Sequence, residues 1–269
     1  MNTEIKRKVL RTFRNKALLS LGLVSLIVLL EPSPVYAMHI AEGILPAKWA
    51  GLWYIVSAIF IIIGIRVIMR RAKEQKNLVP LLGLAGAAIF LISVFPVPVP
   101  ISGTTSHPVG TPLAAILIGP FISSVLGAIA LLIQALFLAH GGLTTWGANI
   151  LSMAIAGSFC GFGTFLLLRK FNASIFISAF FAGLVGNWTT YAVTSFEMAS
   201  ALHGSGSLWQ MFGAIALAFA PTQLPLGILE AFFTGGVVMA IYQRRPELLP
   251  HMTPRPFKKA RPVTKGVSA

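Results

Sequence analysis

Apolar residues in this chain come in long runs separated by short polar or proline-rich breaks. A run of roughly 18–20 apolar residues crosses a bilayer as a helix. On that criterion, spanning helices are predicted from Ala50 to about Met69, Leu78 to Phe95, about Ala148 to Leu168, Ser174 to about Met198, and Trp209 to Tyr242. The last contains Pro221 and Pro225, and the second is ended by Pro96, Pro98 and Pro100, which lack the N–H a helix needs. Pro112 to Ala139 is also apolar but breaks at Gly119-Pro120. Two full spans would need about 40 residues, so two short or tilted helices, or a re-entrant hairpin packed within the bundle, are expected there. Irregular backbone at depth is tolerated only where protein covers it or it lines a cavity. The alternating segments of about 10 residues that mark a spanning β-barrel are absent. The fold class is therefore an all-α integral membrane protein, a bundle of about six to seven transmembrane helices.

The first apolar run is different. Ala17 to Leu30 is short for a span, follows six basic residues within positions 1–16, and is broken by Glu31-Pro32-Ser33-Pro34. Val35-Tyr36-Ala37 then places small residues at −3 and −1 of a cut after Ala37. This is the plan of a secretory signal peptide. The expected organisation is a cleaved signal at 1–37, a transmembrane metal-binding domain at 38–243 and a basic cytoplasmic tail at 244–269. An uncleaved first helix is the alternative, and a start at Met38 would leave the same terminus as cleavage.

Charge fixes an orientation. Of 21 Lys and Arg, six precede the signal's apolar run, five lie between Arg66 and Lys76, two are Arg169-Lys170, seven are in the tail, and only Lys48 stands apart. If these clusters are cytoplasmic, nearly every positive charge obeys the positive-inside rule. The mature N-terminus is then outside, the C-terminus inside, and the protein a multi-pass component of the plasma or inner membrane, surrounded by lipid. The net charge of +14 reflects these flanks and not a nucleic-acid partner. There is no Asp, only seven Glu and a single cysteine, Cys160. That composition argues against a paired-carboxylate enzyme, an all-oxygen calcium site and a thiolate cluster.

The chemistry concentrates at the new terminus, Met38-His39. A free Met38 amine and the His39 amide nitrogen close a five-membered chelate ring on a metal; the amide and His39 Nδ1 close a six-membered one. Three nearly planar nitrogens suit Cu(II), Ni(II) or strong-field Co(II), whereas Mg²⁺ and Ca²⁺ want oxygen. Binding needs a deprotonated amine and amide, so affinity falls with pH. His107, in the polar loop that follows the three prolines on the same outer face, is the candidate fourth ligand. Glu42, Ser106 and His140 are candidate supports, Glu42 as a hydrogen-bond acceptor for a ligating imidazole. His203 shares that face, and His251 lies in the tail. Glu197 and Glu230 are ionisable groups near or in apolar tracts, which are functional candidates by default, although pairing with polar neighbours explains them equally.

Three segments together resemble a known family: Met38-His39-Ile40-Ala41-Glu42-Gly43-Ile44-Leu45-Pro46, Ser106-His107-Pro108-Val109-Gly110-Thr111, and Ala139-His140-Gly141-Gly142-Leu143-Thr144-Thr145-Trp146-Gly147-Ala148-Asn149. They are similar to the cobalt-specific substrate-binding subunit, CbiM type, of energy-coupling factor transporters, over Met38 to about Tyr242. The resemblance implies Met38, His39 and His107 as metal ligands and Co(II) as transported substrate, feeding cobalamin synthesis. It also implies a transmembrane coupling subunit, a small accessory membrane subunit and two cytoplasmic ATPases as partners. Val109 and Pro112 stand where the cobalt loop often has Thr and Gly, and Thr104-Thr105 replaces a more usual Ser-Cys pair. Glu42 and His107-Pro108 favour cobalt over the family's nickel branch, which remains the alternative cargo.

The chain contains no Gly-x-x-x-x-Gly-Lys-Ser/Thr loop, so ATP hydrolysis is expected from partners. The expectation is a transporter subunit, with no enzymatic activity and no catalytic cofactor. A membrane-embedded metalloenzyme, the alternative from another class, would want an open coordination position and a general base.

Overall fold

Among the described residues each long apolar run folds as a helix, because the bilayer leaves its backbone no other partners. The computed structural model describes residues 36–37, 39–75, 78–94, 97–99 and 104–249. Met38, most of the expected signal segment and the tail beyond Leu249 lie outside the described residues. The helices are α1 (Ala47–Glu74), α2 (Leu78–Ser93), α3 (Thr111–Ile118), α4 (Pro120–Phe137), α5 (Trp146–Lys170), α6 (Ile175–Leu202) and α7 (Leu208–Arg244). Among the described residues five are long and apolar enough to cross a membrane; α2, with 16 residues, and α3, with eight, are shorter. The molecule is thus an all-α, multi-pass membrane protein.

α1 begins and ends beyond the apolar limits Ala50 and Met69, because its basic flank continues the helix: Arg70 pairs with Glu74 one turn on, at 3.6 Å. α7 runs through Pro221 and Pro225 without ending, at the loss of two ladder hydrogen bonds. In α5, residues Ile150–Ala156 form a π turn, a widening that is frequent at functional sites.

The puzzle around Gly119-Pro120 resolves into a half-helix. The loop carrying His107 enters the bundle, α3 supplies about 12 Å of helix at 1.5 Å per residue, and the chain turns back into α4. Gly119 makes the turn with φ +92, a conformation that suits glycine. Arg71 Nη1, near the basic end of α1, donates to the carbonyl of Ile118 just before it (2.9 Å). The polar floor of this hairpin is covered by protein: Ser123 Oγ donates to Thr111 O (2.9 Å) and Ser158 Oγ to Ser123 Oγ (2.9 Å).

Three short strands flank the site: β1 (Tyr36–Ala37), β2 (Val97–Val99) and β3 (Thr104–Ser106), in the order β1-β3-β2. β1 runs parallel to β3 with Ala37 opposite Thr105. Two residues further along both chains, this register brings His39 alongside His107.

Candidate metal centre

Three segments far apart in sequence meet at one end of the bundle. His39 lies before α1, His107 before α3 and His140 after α4. Their ligating atoms lie within 4.8 Å of one another. His39 and His107 are buried and His140 is half-buried. The described basic residues Arg70, Arg71, Lys73, Arg169, Lys170 and Arg244 close the far ends of α1, α5 and α7.

His39 is placed by its neighbour. Ile40 N–H donates to Asn149 Oδ1 (2.8 Å), and Ile40 O accepts from Asn149 Nδ2 (3.2 Å) and Thr145 Oγ1 (2.5 Å). One asparagine side chain thus clamps both polar groups of a peptide that has no ladder of its own. The Ile40 side chain packs with Leu45, Ala50, Trp53 and Ala148.

His107 is held from the opposite side. Its Nδ1–H donates to the carbonyl of Pro108 (2.9 Å), which leaves the Nε2 lone pair free to ligate. Nε2 faces His39 Nδ1 at 3.2 Å. Tyr191 OH donates to His107 O (3.3 Å) and lies 3.2 Å from Ser106 Oγ, which also accepts from Gln223 Nε2. Ser106 therefore supports the backbone of the loop through α6 and α7.

The residue of the site that sequence reading left open is Glu230. Its carboxylate is fully enclosed in α7 and accepts from Val109 N–H (2.8 Å), Gly110 N–H (2.7 Å) and Asn187 Nδ2 (2.7 Å). It fixes the descent from His107 into α3. Two backbone amides that α3 cannot satisfy thereby gain a side-chain acceptor. Glu197, on α6, is equally buried.

Glu42 reaches the site by another route than the expected imidazole contact. Its carboxylate accepts from Thr144 N–H at 3.1 and 3.3 Å. Hydrogen bonds from Thr144, hydroxyl first, hold this carboxyl below its ordinary pKa. The bond ties the terminal segment to the loop after His140, where Gly142 allows the close approach. A Cβ there would stand 2.5 Å from Glu42 Oε2, 2.6 Å from its Cα and 2.7 Å from its N. Gly142→Ala is therefore expected to push the His39 segment away and to weaken metal binding at least tenfold in equilibrium titration, with the helices still inserted. His203 ends α6 and is not part of the three-histidine group.

Burial sets the protonation of the rings. Desolvation, with the neighbouring His140 and His107, pushes His39 well below the ordinary imidazole pKa. Desolvation first, then His140, brings His107 down to about 3, and burial also lowers His140. All three rings are neutral at pH 7, the form that ligates a metal.

The family description "cobalt uptake substrate-specific transmembrane region" matches residues 39–248. Among curated relatives, the cobalt transport protein CbiM of Geobacter sulfurreducens is 49% identical, over 83% of this chain and 65% of its own length. That of Sorangium cellulosum is 49% identical over 79% of this chain and 94% of its own. The crystal structure of a truncated transition metal transporter superposes with a TM-score of 0.67 at 28% identity, covering 76% of this chain and 98% of that one.

Proposed function

From a chain that belongs to the family of cobalt uptake substrate-specific transmembrane regions, we propose a subunit that captures Co(II) at the outer membrane face and passes it inward. The substrate is held by four nitrogens: the Met38 amine freed by cleavage after Ala37, the His39 amide and Nδ1, and His107 Nε2. The observation that carries this reading is the 3.2 Å separation of His39 Nδ1 and His107 Nε2. These are the two imidazole atoms the chelate requires. Nitrogens about 2.0–2.1 Å from a divalent ion and 3.2 Å apart subtend about 100°, near the 90° of adjacent planar positions.

Cleavage would remove β1, but His39 keeps its place through the Ile40 clamp on Asn149 and Thr145, which lies wholly in the mature chain. Segregation of basic helix ends from the histidines supports an outer site, with the C-terminal end cytoplasmic. Without a phosphate-binding loop of its own, the subunit draws energy from partners: a transmembrane coupling subunit, a small accessory membrane subunit and two cytoplasmic ATPases of an energy-coupling factor importer. Cobalt delivered this way supplies cobalamin synthesis. The names of the Geobacter and Sorangium relatives favour cobalt over nickel as cargo.

One alanine inserted between Ala37 and Met38 tests the chelate. With cleavage still after Ala37, histidine moves to mature position three, and the amine, two amides and imidazole complete a plane without His107. Binding should then favour copper or nickel and become indifferent to His107→Ala. Unchanged cobalt binding that still depends on His107 would refute the role of the terminus.

A further inference from the structure

The hairpin of α3 and α4 carries a histidine of the cluster at each of its open ends. His107 lies four residues before α3 and His140 three after α4, with ring centroids 5.2 Å apart. The tip, Gly119-Pro120, lies the other way. α4 has 18 residues, about 27 Å at 1.5 Å per residue, so the tip stands about that far from the histidines, at the basic end of α1.

α1 meets this hairpin along one stripe. Its buried residues Ala50, Ser57 and Gly64 recur at every seventh position, with Trp53 beside them, a spacing that keeps them on one face of the helix. Ser57 Oγ donates to Gly147 O (2.6 Å). A Cβ at Gly64 would stand 2.5 Å from Phe121 O and from Val125 Cγ2, so α1 and α4 pack there backbone to backbone. Arg71 is the next member of the stripe. Its Nη1 donates to Ile118 O (2.9 Å), and a Cβ on Gly119 would lie 3.8 Å from both of its Nη atoms. Arg70 and Lys73, by contrast, are exposed, and Arg70 pairs with Glu74.

The last carbonyls of a helix find no partner within it, and a cation at that end is favoured by the macrodipole. Glu230 thus holds the start of α3 and Arg71 its finish. Between them α3 fits closely: seven of its eight residues are buried, and a Cβ at Gly186 would stand 2.4 Å from Pro112 Cγ. An element packed this tightly shifts as a body, because a close-packed interior does not deform continuously. A change at the His107 end therefore reaches Ile118. We propose that Arg71 is a positioning residue that carries metal occupancy at the histidines to the opposite membrane face, serving delivery of the metal and not its capture. This inference rests on the transport reading of the preceding section.

The test combines hydrogen exchange of the full processed chain, with and without Co(II), and ATP-driven cobalt uptake by the chain assembled with its partner subunits in proteoliposomes. In the wild type, cobalt should slow exchange at residues 116–119 more than at residues 166–170, the inner end of α5. Arg71→Ala should bind cobalt as tightly as wild type, lose that local response, and take up cobalt about tenfold more slowly or worse, within the range of couplings between distant sites. Arg71→Lys should recover part of the uptake. Arg70→Ala and Lys73→Ala remove the same charge without touching the hairpin and should leave uptake unchanged. A wild-type tip whose exchange ignores cobalt overturns the proposal whatever the variants do. So does wild-type uptake by Arg71→Ala, or an equal loss in Arg70→Ala and Lys73→Ala, which marks a general effect of charge. An Arg71→Ala protein whose uptake falls only as far as its cobalt affinity also overturns it, because the residue then shapes the metal site. A wild-type chain that binds no cobalt defeats the transport reading itself, and this role with it.

Discussion

Replacing His107 by alanine is expected to abolish high-affinity cobalt binding while leaving insertion and helix content intact. In the proposed chelate the side chain supplies one of four nitrogens, and its loss should exceed the about 10–100-fold cost of removing a contact outside the ligand shell. Its loop is anchored through the backbone, by Tyr191 OH on the His107 carbonyl and Glu230 on the next two amides. The alanine variant should therefore keep the loop in place and lose only the ligand. His39→Ala should be equally severe, because it removes Nδ1 and breaks the six-membered ring, leaving only the five-membered amine–amide ring beside His107 Nε2. Isothermal titration of purified protein decides both. A variant within about tenfold of wild type, a difference of about 1.4 kcal/mol, would remove that histidine from the site.

The second large effect is expected at a residue that is not itself a ligand. Glu230→Ala strips the acceptor from Val109 N–H, Gly110 N–H and Asn187 Nδ2, all in a buried setting. A buried donor left unsatisfied costs about 1–3 kcal/mol, so about 3 kcal/mol or more of stability should go with three of them. The loop that carries His107 should loosen at the same time, so thermal unfolding in detergent should shift down and cobalt affinity should fall with it. Glu230→Gln should lie between, since its amide keeps one acceptor oxygen but turns an NH₂ towards a donor. A Glu230→Ala protein with wild-type melting temperature and affinity would show that the descent of the loop does not depend on this carboxylate.

Much of the site was legible because its chemistry is local. A histidine two residues past an expected cleavage site, and another beyond a run of prolines, both announce themselves in sequence. The Asn149 and Thr145 clamp on Ile40 and the Glu230 anchor of the second loop then bring them together. Glu230 was legible only as an ionisable group in an apolar tract. Its partners stand 121 and 120 residues away, and no local pattern couples a helix carboxylate to a distant loop. His140 carried a weak signal in the two glycines after it, whose meaning depends on the Glu42 segment lying against them. The half-helix α3 was half foreseen: Gly119-Pro120 marked the break, but which arm would be short depended on how deep the His107 loop enters. The true ends of α1 escaped hydropathy because its basic flank continues the helix beyond the apolar residues that hydropathy measures.

The central claim is that cobalt is captured by a terminus that exists only after processing. Native mass spectrometry of the purified protein, incubated with cobalt and nickel in competition, tests it most directly. The expected species begins at Met38 and carries one cobalt, with the unprocessed chain metal-free in the same sample. Cobalt bound equally well to a chain that still begins at Met1 would contradict it.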